Sequence, residues 1–127
     1  MDPISDMFIR IKNANTAKRE TVLIPYSKFK LDIVKALSGA GCIGAVEVKG
    51  KRVRKTIEVA LRYEDGDPKI KGVKMLSKPS RRLYAPYKDV KPSPRGGVVL
   101  LTTPKGILTD RMAKNEKVGG QLIAEVW

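Results

Sequence analysis

The sequence predicts an α+β fold of two small lobes: an N-terminal α-β-α-β-β lobe over residues 1–65, and a mostly β C-terminal lobe with a short helix over residues 66–127. Three observations carry this. Apolar residues recur at helical spacing in two early segments, and strand-like alternation takes over after Ile43. Then Glu64-Asp65-Gly66-Asp67-Pro68 interrupts the chain with turn formers and acids and no apolar residue. With 127 residues, 42% of them hydrophobic, the chain has enough apolar material for one ordinary domain or two lobes.

In order, Ile4, Met7, Phe8 and Ile11 mark one face of a first helix, with Arg10, Lys12 and Asn13 opposite. Asp2 is its expected cap and Pro3 its first residue, where the missing N–H costs nothing. Thr21 to Pro25 reads as a short strand. Ser27 caps a second helix, with Tyr26 and Leu31 placed as a hydrophobic staple and Phe29, Ile33, Val34 and Leu37 as the buried stripe. Lys28, Lys30 and Lys35 stay on its surface, and Gly39 or Gly41 ends it. Ile43 to Lys49 and Val53 to Tyr63 form a hairpin. Its second strand alternates Ile57, Val59, Leu61 and Tyr63 against Glu58, Ala60 and Arg62. The connection carries Lys49, Lys51, Arg52, Arg54 and Lys55, read either as a solvated turn or as a phosphate contact.

Past the break, Arg81-Arg82-Leu83-Tyr84 is expected as a strand, and Ala85 to Arg95, with three prolines, as an extended loop. Gly96 to Thr102 is a buried strand, Thr103-Pro104-Lys105-Gly106 a turn, and Thr109 the cap of a short helix over residues 110–117. Gly119-Gly120 leads into a last strand, Leu122 to Trp127.

Charge gives the first functional indication. Lys and Arg number 26 against 13 Asp and Glu, a formal +13. So much like charge opposes compaction unless a polyanion neutralises it, and nucleic-acid phosphates do so with counterion release. Residues 67–127 carry 13 basic and 5 acidic groups, the more basic part of the chain. The longest uncharged run, Ala36 to Val46, has 11 residues, too short for a membrane span. Met1-Asp2-Pro3 opens on an acid without an apolar stretch, and the single Cys42 forms no internal disulfide, so a cytoplasmic location is expected.

Four segments in order resemble a known family: Asp2-Pro3-Ile4-Ser5-Asp6-Met7 with Arg10-Ile11-Lys12-Asn13-Ala14; Pro25-Tyr26-Ser27-Lys28-Phe29-Lys30; Ser77-Lys78-Pro79-Ser80-Arg81-Arg82-Leu83-Tyr84; and Gly97 through Lys114 followed by Gly119-Gly120. End to end, the chain resembles the eighth protein of the small ribosomal subunit in its bacterial form. The resemblance implies an early-assembly protein that docks on the central domain of small-subunit ribosomal RNA, mainly through its C-terminal lobe, beside other small-subunit proteins. It also implies, for many bacterial members, repression of their own operon by binding a messenger that mimics the ribosomal site.

RNA duplexes hide the major groove, so their recognition relies on shape, 2′-hydroxyls and unpaired bases. Thr102 and Thr103 offer hydroxyls, Pro104 shapes the turn, Lys105 reaches a phosphate, and Gly106 permits close backbone approach. Tyr84 either stacks on an unpaired base or packs between the lobes. The family match favours contact and adds Gly119, Gly120 and Gln121 to the RNA surface, with Arg10, Asn13, Lys28 and Lys30 as backbone contacts on the first lobe. Lys55 and Arg82 complete the candidate set. The sequence departs from the family pattern at three positions: Pro104 for serine, Gln121 for glutamate and Ser80 for glycine. The first removes one hydroxyl and one N–H donor from the turn.

Other classes fit poorly. There is no histidine, the commonest general base near neutral pH. Cys42 sits in an apolar run expected to bury it, Asp65 and Asp67 lack further spaced oxygen ligands, and the Gly39-Ala40-Gly41-Cys42-Ile43-Gly44 spacing follows a helix rather than opening one. No enzyme activity, cofactor, metal, small-molecule substrate or membrane partner is expected. A general nucleic-acid packaging protein differs in ignoring junction shape. The first helix lacks the dense basic face of a membrane-surface helix.

Overall fold

The computed structural model describes residues 3–127, apart from the side chain of Val53. The expected cap Asp2 lies outside the described residues. The chain forms two compact units, one running up to Lys71 and the other from Gly72 to Trp127.

In the first unit, helix α1 spans Pro3–Thr16, strand β1 Thr21–Pro25, helix α2 Lys28–Gly39, strand β2 Val46–Lys49 and strand β3 Thr56–Ala60. The three strands make an antiparallel sheet in the order β1-β3-β2. Its register aligns Ile24 with Ile57 and Val48, and Val22 with Val59 and Val46. One face is thus apolar, the other carries Leu23, Glu58 and Glu47, and α1 packs on β1 and α2 on β2. Ile24, Ile57 and Val59 are fully buried, as are Ile11, Ile33, Val34 and Leu37 from the helices. Each such side chain contributes about 1.5–3 kcal/mol.

The α1 stripe is buried at Met7, Phe8, Ile11 and Ala14. Ser27 accepts a hydrogen bond from the Lys30 N–H at 3.1 Å, as the cap reading requires. Phe29 departs from expectation: it is 41% exposed, and Leu31 is buried instead. At about 100° per residue, Phe29 falls about 40° beyond Ile33, outside the sector spanned by Ile33, Leu37, Val34 and Leu31.

The three helices of the described residues close alike. A left-handed residue (Lys18, Gly41 or Lys117) donates its N–H three residues back, and the next N–H reaches five back, at Arg19 to Ala14, Cys42 to Leu37 and Val118 to Ala113. This satisfies carbonyls that a helix end leaves unpaired. Beyond β3, strands β4 (Tyr63–Glu64) and β5 (Asp67–Pro68) form a tight hairpin. Its corner residues Asp65 and Gly66 both have positive φ, the geometry that Asp-Gly favours.

The second unit holds strands β6 (Val73–Met75), β7 (Tyr84–Ala85), β8 (Val98–Thr103), β9 (Gly106–Thr109) and β10 (Gly120–Val126), with helix α3 (Asp110–Glu116). The sheet runs β6-β10-β8-β9, and β7 also pairs with β10. β10 is therefore flanked by β8 along one edge and by β7 then β6 along the other. A bulge in the β10–β8 pairing falls between Leu122 and Ala124, between the residues of β10 that pair with β7 and those that pair with β6. Val90, Val99, Leu101, Leu108 and Ala113 form a core cluster, joined by Leu76, Ala85, Val118 and Leu122. The Thr109 hydroxyl caps α3 by accepting from Met112 N–H at 3.3 Å.

Two further expectations are corrected. The strand expected at Arg81 to Tyr84 is confined to Tyr84–Ala85. Arg81 instead bridges back to Lys78 across Pro79-Ser80, and the Ser77 hydroxyl accepts from Leu83 N–H at 2.9 Å. The loop from Ala85 to Arg95 is not simply extended: it contains a 3-10 turn at Tyr87–Asp89 and buries Val90 and Ser93.

Candidate nucleic-acid interface

Sheet register gathers the C-terminal candidates. Tyr84 pairs with Gln121, Gln121 with Thr102, and Thr102 with Ile107. Directly paired residues share a face, and the adjacent row, Leu122 with Leu101 and Leu108, belongs to the core cluster. Tyr84, Gln121 and Thr102 thus line the opposite face at one end of the sheet. Tyr84 is 70% exposed on this face. Among the described residues, the side chains of Gln121 and Thr102 have no protein hydrogen-bond partner, so their amide and hydroxyl remain available.

Gly119 and Gly120 make this row possible. A Cβ on Gly119 would fall 2.2 Å from Ala85 O, and one on Gly120 would fall 2.0 Å from Thr102 O. Only glycine lets β10 approach β7 and β8 this closely.

The turn from Thr103 to Gly106 is fixed internally. The Thr103 hydroxyl donates to Gly106 O at 2.8 Å and accepts from Lys105 N–H at 3.1 Å. Its proton is therefore already used, and of the two roles a hydroxyl can take Thr103 keeps the acceptor one. Pro104 and Lys105 form the exposed corner, and Lys105 Nζ lies 2.9 Å from a Glu116 carboxylate with both groups about half exposed. Such a pair is worth about 0–1 kcal/mol, so a phosphate competes for that ammonium readily. Arg82 is exposed and unpaired among the described residues.

On the first unit, Arg10 pairs with Asp6 at 3.1 Å on the exposed side of α1, where Asn13 is also exposed. Lys28 pairs with Asp32 at 2.8 Å; that hydrogen bond, then the carboxylate charge, pushes the Lys28 ammonium pKa up. Lys30 is half-buried at the start of α2. Lys55 is exposed, its ammonium 5.2 Å from the centre of the Tyr26 ring. Lys55 thus stands over Tyr26, Lys28 and Lys30 lie at the start of α2, and Arg10 and Asn13 stand on α1. Six of the 26 basic side chains make an ion pair among the described residues. Most of the cationic charge is therefore uncommitted.

One anchor escaped the sequence reading. Glu125, 4% exposed on β10, accepts from the Ser93 hydroxyl and from Arg95 at 2.9 Å. The Arg95 guanidinium also lies 4.3 Å from the centre of the Trp127 ring. These contacts pin the proline-rich loop to the sheet. The only legible signal was a lone acid within an apolar strand.

Cys42 is half-buried rather than buried, and desolvation pushes its thiol pKa up, opposed in part by the Lys69 charge. That weakens it as a nucleophile. Among the described residues, no three His, Cys, Asp or Glu side chains group to hold a metal, and no helix is long and apolar enough to cross a membrane.

Known proteins are similar to this chain along its whole length. A family model described as ribosomal protein S8 matches residues 2–127. The chain is 44% identical over 127 residues to the small ribosomal subunit protein uS8 of Mycoplasmopsis agalactiae, covering 99% of this chain and 97% of that protein. It is 39% identical over 127 residues to that of Mycoplasma mobile (99% and 96% covered), and 44% identical over 128 residues to that of Dictyoglomus turgidum (99% and 97% covered). The chain therefore belongs to the ribosomal protein S8 family, whose members are structural proteins and not enzymes.

Proposed function

We propose that the chain is a structural constituent of the small ribosomal subunit that binds the central domain of small-subunit ribosomal RNA through its C-terminal unit. The observation that carries this reading is the row Tyr84, Gln121 and Thr102, with an exposed ring and two unspent polar side chains beside a fixed turn. The ring suits stacking on an unpaired base, and the amide and hydroxyl suit base edges or 2′-hydroxyls. Lys105, Arg82 and the uncommitted cations supply the phosphate contacts. Its place is the cytoplasm, in the ribosome, beside neighbouring small-subunit proteins. A segment of its own operon's messenger that folds to the same shape is a second ligand for the same row.

The test is affinity of the purified protein for its source organism's central-domain RNA junction, compared with a plain duplex of equal length across a salt series. Strong preference for the junction at every salt concentration is expected. Equal affinity for both, falling together as salt rises, would refute shape recognition and leave charge alone.

A further inference from the structure

The turn that adjoins the row of Tyr84, Gln121 and Thr102 carries a cation whose charge is already cancelled. Eleven basic and four acidic residues lie between Gly72 and Trp127. Among the described residues, two of these cations make an ion pair: Arg95 with the buried Glu125, and Lys105 with Glu116. Lys105 is the one cation of the turn, and its ammonium lies 2.9 Å from the Glu116 carboxylate. The turn is continuous with the row, because Thr103, paired with Gly106, directly follows Thr102.

The four acids are not alike. Glu125 is buried in the anchor with Ser93 and Arg95. Asp110 begins α3, where the helix dipole favours an acid, and it accepts from Val99 N–H at 3.0 Å. Asp89 stands in the 3-10 turn at Tyr87–Asp89. Glu116 ends α3, where the dipole disfavours an acid, and its side chain is half exposed. Neither helix stability nor burial therefore accounts for an acid at that place. The group it engages, among the described residues, is Lys105.

This pair gives the corner two states. With Lys105 on Glu116 the corner is neutral, so a polyanion approaching by charge alone is not drawn to it and releases no counterion there. An exposed pair of this kind is worth at most a factor of roughly five. A phosphate held against the turn can therefore take the ammonium over, and the freed carboxylate turns to solvent, where salt screens it. What holds a phosphate there is the row, through a base stacked on Tyr84 and polar contacts to Gln121 and Thr102. A plain duplex offers no unpaired base for that stack.

We propose that Glu116 determines specificity in RNA binding: its carboxylate keeps Lys105 out of charge-driven binding and yields it only to an RNA seated on the row. This rests on the RNA-binding reading above and adds to it a residue that acts through Lys105.

The experiment compares the full chain with Glu116→Gln, Lys105→Gln and the double variant, with melting curves for each. Binding to the central-domain junction and to a plain duplex of equal length is measured across a salt series. Glu116→Gln should tighten duplex binding and steepen its slope of log affinity against log salt by roughly 0.9, one more phosphate neutralised. Its junction slope should match the parent, so the preference for the junction shrinks. Lys105→Gln should flatten the junction slope by roughly 0.9 and not the duplex slope. The double variant should match Lys105→Gln on both RNAs. A Glu116→Gln protein that shifts both slopes alike, or neither, would overturn this inference while the parent's junction preference stands. So would a double variant that binds the duplex more tightly than Lys105→Gln does. A parent without preference for the junction would overturn both this inference and the proposed function.

Discussion

Replacing Gly120 with alanine would put a Cβ 2.0 Å from Thr102 O and 3.2 Å from Thr103 Cα. Both neighbours are backbone, so no flexible side chain can turn aside and β10 must move away from β8. Overpacking of this kind costs about 1–3 kcal/mol, and a weakened ladder hydrogen bond adds about 1 kcal/mol. The variant should therefore lose about 2–4 kcal/mol, which lowers the melting temperature of a chain this size by about 3–5 °C per kcal/mol. Gly39→Ala is the matched control. It lies at the end of α2 with nothing within 4 Å of the added Cβ and no positive φ. It should be stabilising by about 0.5–1 kcal/mol. Circular dichroism melts of the two variants beside the parent decide the matter. Gly120→Ala melting with the parent would refute the close approach of β10 to β8, and with it the alignment of Tyr84, Gln121 and Thr102.

Three other outcomes are expected of the same structure. Glu125→Ala strands the Ser93 hydroxyl and removes a partner of the half-exposed Arg95, so urea unfolding should register a loss of about 2 kcal/mol; an unchanged midpoint would mean that the anchor carries no weight. Ser27→Ala removes the α2 cap and should cost about 1 kcal/mol, with Ser27→Asp recovering most of it in the same assay. The Cys42 thiol is pushed up by burial, so the midpoint of its alkylation rate against pH should lie above that of a free thiol. Because the folded value is the higher one, the associated stability is present below the unfolded thiol pKa and is lost as pH rises towards the folded value. A midpoint at or below that of a free thiol would contradict this.

Much of the first unit is legible in the sequence because its signals are local. The spacing of Met7, Phe8 and Ile11, the Ser27 cap and the alternation of Ile57, Val59 and Leu61 each lie within a few residues. Phe29 breaks the pattern because apolar identity does not fix burial: its angular position puts it outside the stripe. β9 went unread: Gly106–Thr109 is only a turn and a cap until Leu108 is seen opposite Leu101. The same holds for the interface. The residue types at Tyr84, Thr102 and Gln121 were visible, but their alignment depends on strands brought together from distant parts of the chain. Nor do the residue types of the turn show that Gly106 O and Lys105 N–H occupy the Thr103 hydroxyl. Glu125 and Arg95 are 30 residues apart, beyond any local pattern.

The measurement that bears most directly on the central claim is the affinity of Tyr84→Ala for the central-domain RNA junction at fixed salt. With the ring 70% exposed, its removal should leave the melting temperature unchanged. It should weaken binding by about 1–3 kcal/mol, the worth of one base–aromatic stack, without altering the salt slope. Parent-like affinity in a folded Tyr84→Ala protein would contradict recognition by this sheet end.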